Sequence, residues 1–158
     1  MKINNFWKFI ISVGVCLMSG VIGSFFTTPS IPTWYTSLTK PSFNPPNWLF
    51  APVWTTLFIL MGMAAFIIWQ KGLKKKGVKK ALVFFLVQLI FNVLWSFLFF
   101  KFHSPFWALL DIAVLWIFIL LTTIKFFKIS KIAGILLIPY FLWVSFASIL
   151  NYLIYKLN

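Results

Sequence analysis

Few side chains in this sequence could do chemistry. Asp111 is the one acid among 158 residues, and His103 and Cys16 are the one histidine and the one cysteine. A single residue of each type makes no metal-ligand cluster, and nothing supplies the nucleophile, base and orienting group of ordinary catalysis. What remains is polar and aromatic groups at helical spacing. Gln88, Asn92 and Ser96 fall four apart, with Trp95 and Phe99 one turn apart beside them. Trp54, Phe58 and Gly62 share a second face, and Trp143, Ala147 and Asn151 a third. A large ring, a small gap and an amide in register make one wall of a pocket. Asp111 lies in an apolar run, six residues after Pro105, so about 9 Å into a helix at 1.5 Å per residue. An acid at such a depth is a functional hypothesis by default; the alternative is a neutral, hydrogen-bonded carboxyl that pins two helices. For Gln88 and Asn92 the alternative is interhelical hydrogen bonding, worth about 0.6–2 kcal/mol each. His103 reads as a loop residue.

The elements that must position these groups follow from composition. The chain is 62% hydrophobic and 9% charged, more apolar surface than a small soluble domain can hide. Five apolar runs, roughly 7–27, 48–70, 79–101, 105–126 and 131–155, are each long enough for the ~20 residues that cross a bilayer as a helix. The first is too long for a signal-peptide core and lacks an A-x-A-like cleavage site, so it reads as a retained helix. The expected fold is an all-α integral membrane protein: five transmembrane helices in one bundle, residues 1–158 forming a single domain. The lone Cys16 forms no intrachain disulfide.

The net charge is +13, from fourteen lysines and no arginine. Eleven of the lysines, from Lys2 and Lys8 through the GLKKKGVKK loop to Lys125, Lys128 and Lys131, fall on one side of the five spans. Lys40, Lys101 and Lys156 fall on the other. The positive-inside rule then places the N-terminus in the cytoplasm and the C-terminus outside. The lysine loop reads as an anchor on anionic headgroups, not as a nucleic-acid surface.

The chain's most unusual stretch is Trp34–Gly62, WYTSLTKPSFNPPNWLFAPVWTTLFILMG. Six of the eight prolines lie between Pro29 and Pro52, which predicts a long, aromatic, proline-stiffened loop rather than continuous helix. Loops of such length in compact domains are usually functional. Asn47 is placed to cap the second helix, and Pro52 suits its first turn. Gly20 and Gly23, within a stripe of small residues in the first span, allow close helix packing, leave room for a ligand, or do both. Trp7, Trp69, Tyr152 and Tyr155 read as interfacial belt residues, and Pro139 should kink the fifth span. All the singled-out groups lie from mid-membrane to the end where the loop sits. An apolar pocket with a few polar anchors needs such an arrangement.

The blocks SGVIGSFF, WYTSLTKPSFNPPNWLFAPVWTTLFILMGMAA, NVLWSFLFF and PYFLWVSFASILN occur in the order found in the tryptophan-rich sensory protein/translocator protein family, also called peripheral benzodiazepine receptors. The sequence resembles that family over essentially its whole length. The resemblance implies five transmembrane helices and a homodimer. It implies binding of porphyrins such as protoporphyrin IX and of synthetic isoquinoline carboxamides, and for bacterial members light-dependent degradation of bound porphyrin. By the same resemblance Tyr35 is the loop residue closing on the ligand. Trp54 and Phe58 form the second-span wall, Asn92 and Trp95 the third-span contribution, and Trp143 and Ala147 the fifth-span wall. A cholesterol motif would fall at Leu150, Tyr152 and Lys156, a pattern many helices match by chance.

The ligand-binding set expected from both readings is Gly20, Gly23, Tyr35, Trp54, Phe58, Asn92, Trp95, Phe99, Asp111, Trp143, Ala147 and Asn151. The leading function is binding of a porphyrin or another hydrophobic aromatic molecule, with no required cofactor and no metal. The second is photochemical porphyrin degradation, with Trp54 and Trp143 exchanging electrons with the excited ring. The third is transport, for which the expected internal repeat is not found. The expected location is a bacterial plasma membrane.

Overall fold

The structure, a computed structural model, describes residues 3–158. Met1 and Lys2, the latter part of the lysine count above, lie outside the described residues. The five apolar runs form five helices: α1 (Asn5–Ser30), α2 (Phe50–Gln70), α3 (Val78–Ser96), α4 (Pro105–Ile129) and α5 (Lys131–Leu157). Each is long and apolar enough to cross a membrane, and among the described residues there is no strand. The side chains exposed on the bundle are largely apolar, including Phe25, Ile90, Ile117 and Leu142. A surface of this kind belongs in lipid.

Local chemistry sets the helix ends. The Asn4 side chain accepts from the Phe6 amide and starts α1. Ser104 accepts from the Trp107 amide, with Pro105 at the first helical position of α4, where a missing N–H costs nothing. Ser130 is at once the last cap of α4 and the first of α5, so these two helices turn on one residue. At the other junction of this end, Gly72 (φ 93°) and Gly77 (φ 87°) bracket the lysine loop, in a backbone region that glycine enters without strain.

The first helix runs further than residue 27, the expected end of its apolar run. After Ser30 the chain makes a π turn, Ile31–Tyr35, and leaves helical geometry only at Leu38. Pro29 and Pro32 are therefore inside the helical segment, and the irregular part of the loop shrinks to residues 38–46. Hydroxyls help satisfy the carbonyls here: Thr33 bonds the Pro29 carbonyl at 3.0 Å and Thr36 the Thr33 carbonyl at 2.7 Å. The Asn47 cap is also not observed. Asn47 opens a short 3₁₀ turn, Asn47–Leu49, with no side-chain cap, and this turn leads into α2. Pro52 lies in the first turn of α2, as expected. Pro139 lies within α5, which continues through it.

The helices close a ring in the order α1–α2–α5–α4–α3. The α1 and α2 backbones approach closely at Gly62, where a Cβ would stand 2.6 Å from the Val13 Cα. The lysine half of the core is aliphatic and phenylalanine, with Ile68, Val78, Ala81, Phe85, Ile119 and Phe126 all buried. At the loop end a second cluster gathers Tyr35, Phe99, Phe100, Ala108 and Ile154. A second π turn, Phe97–Lys101, ends α3 beside the first. The buried Ser30 hydroxyl joins the two by donating to the Phe100 carbonyl at 2.6 Å. π turns inside helices gather at functional sites, and here two of them face each other.

Candidate functional site

The polar groups of α3 are tied to α5 through a residue that sequence reasoning passed over. Tyr140 is 1% exposed. Its hydroxyl donates to Gln88 Oε1 at 2.6 Å and accepts from Asn92 Nδ2 at 3.0 Å. Gln88 and Asn92 thus do hold helices together, and Asn92 also stands on the face named for ligand. The signal for Tyr140 was present: a tyrosine in mid-span, three residues before Trp143, rather than at an interface where tyrosines usually lie.

One turn nearer the loop a second bridge forms. The Trp95 indole donates to Asn151 Oδ1 at 2.9 Å, and Asn151 Nδ2 donates to the Pro105 carbonyl at 2.8 Å. One buried amide thereby joins α3, α4 and α5. Trp95 in turn stacks on Phe99, 5.2 Å between ring centres. Replacing Asn151 by leucine should lower stability by about 1–3 kcal/mol, since a transmembrane hydrogen bond is worth about 0.6–1.7 kcal/mol and two are lost. Thermal unfolding in detergent would measure it. Asn151→Asp keeps the acceptor for the Trp95 indole but loses the donor and sets a carboxyl oxygen against the Pro105 carbonyl, so it should be no more stable than Asn151→Leu.

The aromatic wall is built on α2 and α5. Trp54 stacks on Phe58 at 5.5 Å and meets Tyr140 edge-on at 6.3 Å. Trp143 meets Phe50 edge-on at 6.4 Å and lies 5.8 Å from Phe146. Phe50, at the start of α2, also touches Tyr35, and Phe43 of the loop reaches Phe146. The loop end of the α2–α5 seam is therefore roofed by rings from Tyr35, Phe43 and Phe50, while Trp54 and Trp143 stay only partly buried. Ala147 lies one turn beyond Trp143 and packs on the same core.

The roof is held from several directions. The Tyr35 hydroxyl donates to Asn44 Oδ1 at 2.9 Å, and Lys40 Nζ donates to the Tyr35 and Leu38 carbonyls at 2.6 and 3.0 Å. The same ammonium stands 4.7 Å over the Tyr35 ring, a cation–π contact. At the tip, Thr39 and Asn158 exchange two hydrogen bonds, which fasten the loop to the end of α5. His103, at the α3–α4 turn with φ 51°, stacks on Trp34 at 4.5 Å. It is a loop residue, as expected, and it props the first π turn. Tyr35 itself belongs to that π turn and not to the irregular loop.

Two expectations change. Gly20 does not open space for a ligand, because the Phe58 ring fills it: a Cβ there would lie 2.7 Å from the ring. Gly23 faces the Ser96 side chain at 3.2 Å, so both glycines serve close packing. Asp111 is 6% exposed on α4, and neither carboxyl oxygen has a hydrogen-bond partner among the described residues; Gln88 Nε2 is in the same condition. The helix-pinning alternative thus finds no partner for Asp111 here. Buried polar groups normally find partners, so Asp111, like Gln88 Nε2, keeps hydrogen-bonding capacity that the described residues do not use.

The chain is 51% identical over 92% of its length to the tryptophan-rich protein TspO of Chlorobaculum tepidum, covering 92% of that protein. It is 45% identical to the tryptophan-rich protein TspO of Archaeoglobus fulgidus, across 98% of this chain and 99% of the other. Human translocator protein is 34% identical over 87% of this chain and 82% of its own length. The family profile described as TspO/MBR matches residues 12–157, and with the five apolar helices this establishes that the chain is a membrane protein of the TspO/MBR family.

Proposed function

We propose that this protein binds a flat, hydrophobic aromatic ligand, a porphyrin such as protoporphyrin IX, at the loop end of the bundle. The observation that carries the proposal is the roofed α2–α5 seam. Two partly buried indoles, Trp54 and Trp143, stand beneath a ring cover that is hydrogen-bonded in place. Flat rings gain from offset stacking and edge contacts with such a wall. A few polar groups at fixed positions then set orientation, and Asp111 is the candidate for the ligand's hydrogen-bond donors. Relatives named tryptophan-rich sensory protein and translocator protein suit a protein that captures a hydrophobic molecule within the membrane. On the lysine distribution, the N-terminus is cytoplasmic and the pocket opens toward the outer side of a bacterial plasma membrane. A homodimer completes the reading.

The test is a titration with protoporphyrin IX in the dark, followed by the Soret band so that the reporter survives tryptophan substitution. Wild type should saturate. Trp54→Ala and Trp143→Ala should each weaken binding about two- to tenfold, since a stacked aromatic pair contributes about 0.5–1.5 kcal/mol and 1.4 kcal/mol is tenfold. Equal affinities in all three proteins would remove the ligand from this seam. Illumination of the saturated complexes then separates capture from breakdown. Bleaching that matches free porphyrin means binding alone, and faster bleaching lost in Trp143→Phe means photochemistry at the same site.

A further inference from the structure

At the opposite end of the bundle, α1, the last turns of α2 and the first turns of α3 leave a groove of about 340 Å³ between them. Its walls are apolar, with Ile11 from α1, Ala65 and Trp69 from α2, and Leu82 and Leu86 from α3. Its mouth differs from its walls. Lys79 lines it, and Lys74, Lys75, Lys76 and Lys80 are exposed in the same short stretch. Nothing in the chain answers this charge, because the only acidic side chain, Asp111, is buried on α4. The first turn of α3 begins at Gly77, which brings no capping side chain, so the dipole at that terminus adds to the positive potential.

We propose that this groove is a binding site for one anionic phospholipid, with an acyl chain between α1, α2 and α3 and the phosphate at Lys79. An apolar slot fits a hydrocarbon chain of any lipid, so the slot alone selects nothing. The selecting feature is the cationic mouth at headgroup level, where each lysine near an anionic surface is worth about 1 kcal/mol. Trp69 marks that level, because indoles settle at the boundary between chain and headgroup. The larger groove between α1 and α3, about 650 Å³, is lined by aliphatic and phenylalanine side chains and Ser19 and carries no charge that would choose an occupant.

Trp69 is a built-in reporter, since bromine atoms on an acyl chain quench an indole they touch. The full-length protein would be reconstituted in phosphatidylcholine vesicles containing a minor fraction of lipid with brominated chains, either phosphatidylglycerol or phosphatidylcholine. Brominated phosphatidylglycerol should remove more tryptophan emission than brominated phosphatidylcholine, by up to about one-ninth of the total for one of nine tryptophans. The excess should vanish in Trp69→Phe and fall several-fold in Lys79→Glu, a change at an exposed position. Equal quenching by the two lipids would overturn the proposal. So would an excess that survives Trp69→Phe, which puts the anionic lipid elsewhere, or one indifferent to Lys79→Glu, which removes the phosphate from that lysine.

Discussion

Gly62→Val is expected to disable folding of the bundle, whereas Gly14→Val is expected to leave it intact. Both glycines are in apolar helices, and valine at either would pass as a conservative change on hydropathy alone. The difference is what each would strike. At Gly62 a Cβ would meet the Val13 Cα at 2.6 Å, the Val13 Cγ2 at 3.0 Å and the Ser12 carbonyl oxygen at 3.1 Å. Two of these three atoms are backbone, so no rotamer change relieves the clash and α1 must move away from α2. Overpacking costs about 1–3 kcal/mol even where side chains can adjust, and a branched residue against backbone belongs at or above the top of that range. At Gly14 nothing lies within 4 Å. Gly20→Ala falls between them, since its obstacle is the Phe58 ring, which can shift. That shift would disturb the Trp54–Phe58 stack and so alter the aromatic wall. Thermal unfolding in detergent, with the fraction recovered as a monodisperse species, gives the comparison. Equal midpoints for Gly62→Val and Gly14→Val would mean that the α1–α2 crossing is looser than these distances.

Such a contact shows what sequence could and could not reveal. The five spans were legible because nearly every position facing lipid or core must be apolar, and a run of that length has few other uses. The candidate face was marked because polar and aromatic residues four apart stand out against such a background. The end of α1 was not, since proline ordinarily terminates a helix. The tie that carries the chain on into a π turn, Ser30 to the Phe100 carbonyl, joins residues 70 apart. The filling of Gly20 by Phe58 was equally hidden, because spacing along α1 shows a gap but not what enters it. Tyr140 was overlooked for a related reason: its partners on α3 were recognised as polar, but their common partner sits on another helix.

Tyr140→Phe is the second large effect expected, and its size follows from what it leaves behind. The hydroxyl satisfies Gln88 Oε1 and Asn92 Nδ2 together, in a site where all three residues are at most 5% exposed. Gln88 Nε2 already lacks a partner among the described residues, so the variant would orphan both polar ends of that side chain. An unsatisfied buried group costs about 1–3 kcal/mol. Membrane hydrogen bonds average nearer 0.6 kcal/mol because the separated helices find other partners. The expected loss is therefore about 1.5–3 kcal/mol, several degrees or more in the unfolding midpoint. Removing every partner at once leaves nothing orphaned and so supplies an internal control. Tyr140→Phe combined with Gln88→Leu and Asn92→Leu should recover much of the stability lost by Tyr140→Phe alone. Porphyrin affinity should not recover with it if Asn92 contributes to the pocket. Recovery of both would make this polar chain a purely structural joint, with the ligand held by the aromatic wall and Asp111. A triple variant less stable than Tyr140→Phe would instead show that packing around the ring, rather than the hydroxyl's two bonds, is what Tyr140 supplies.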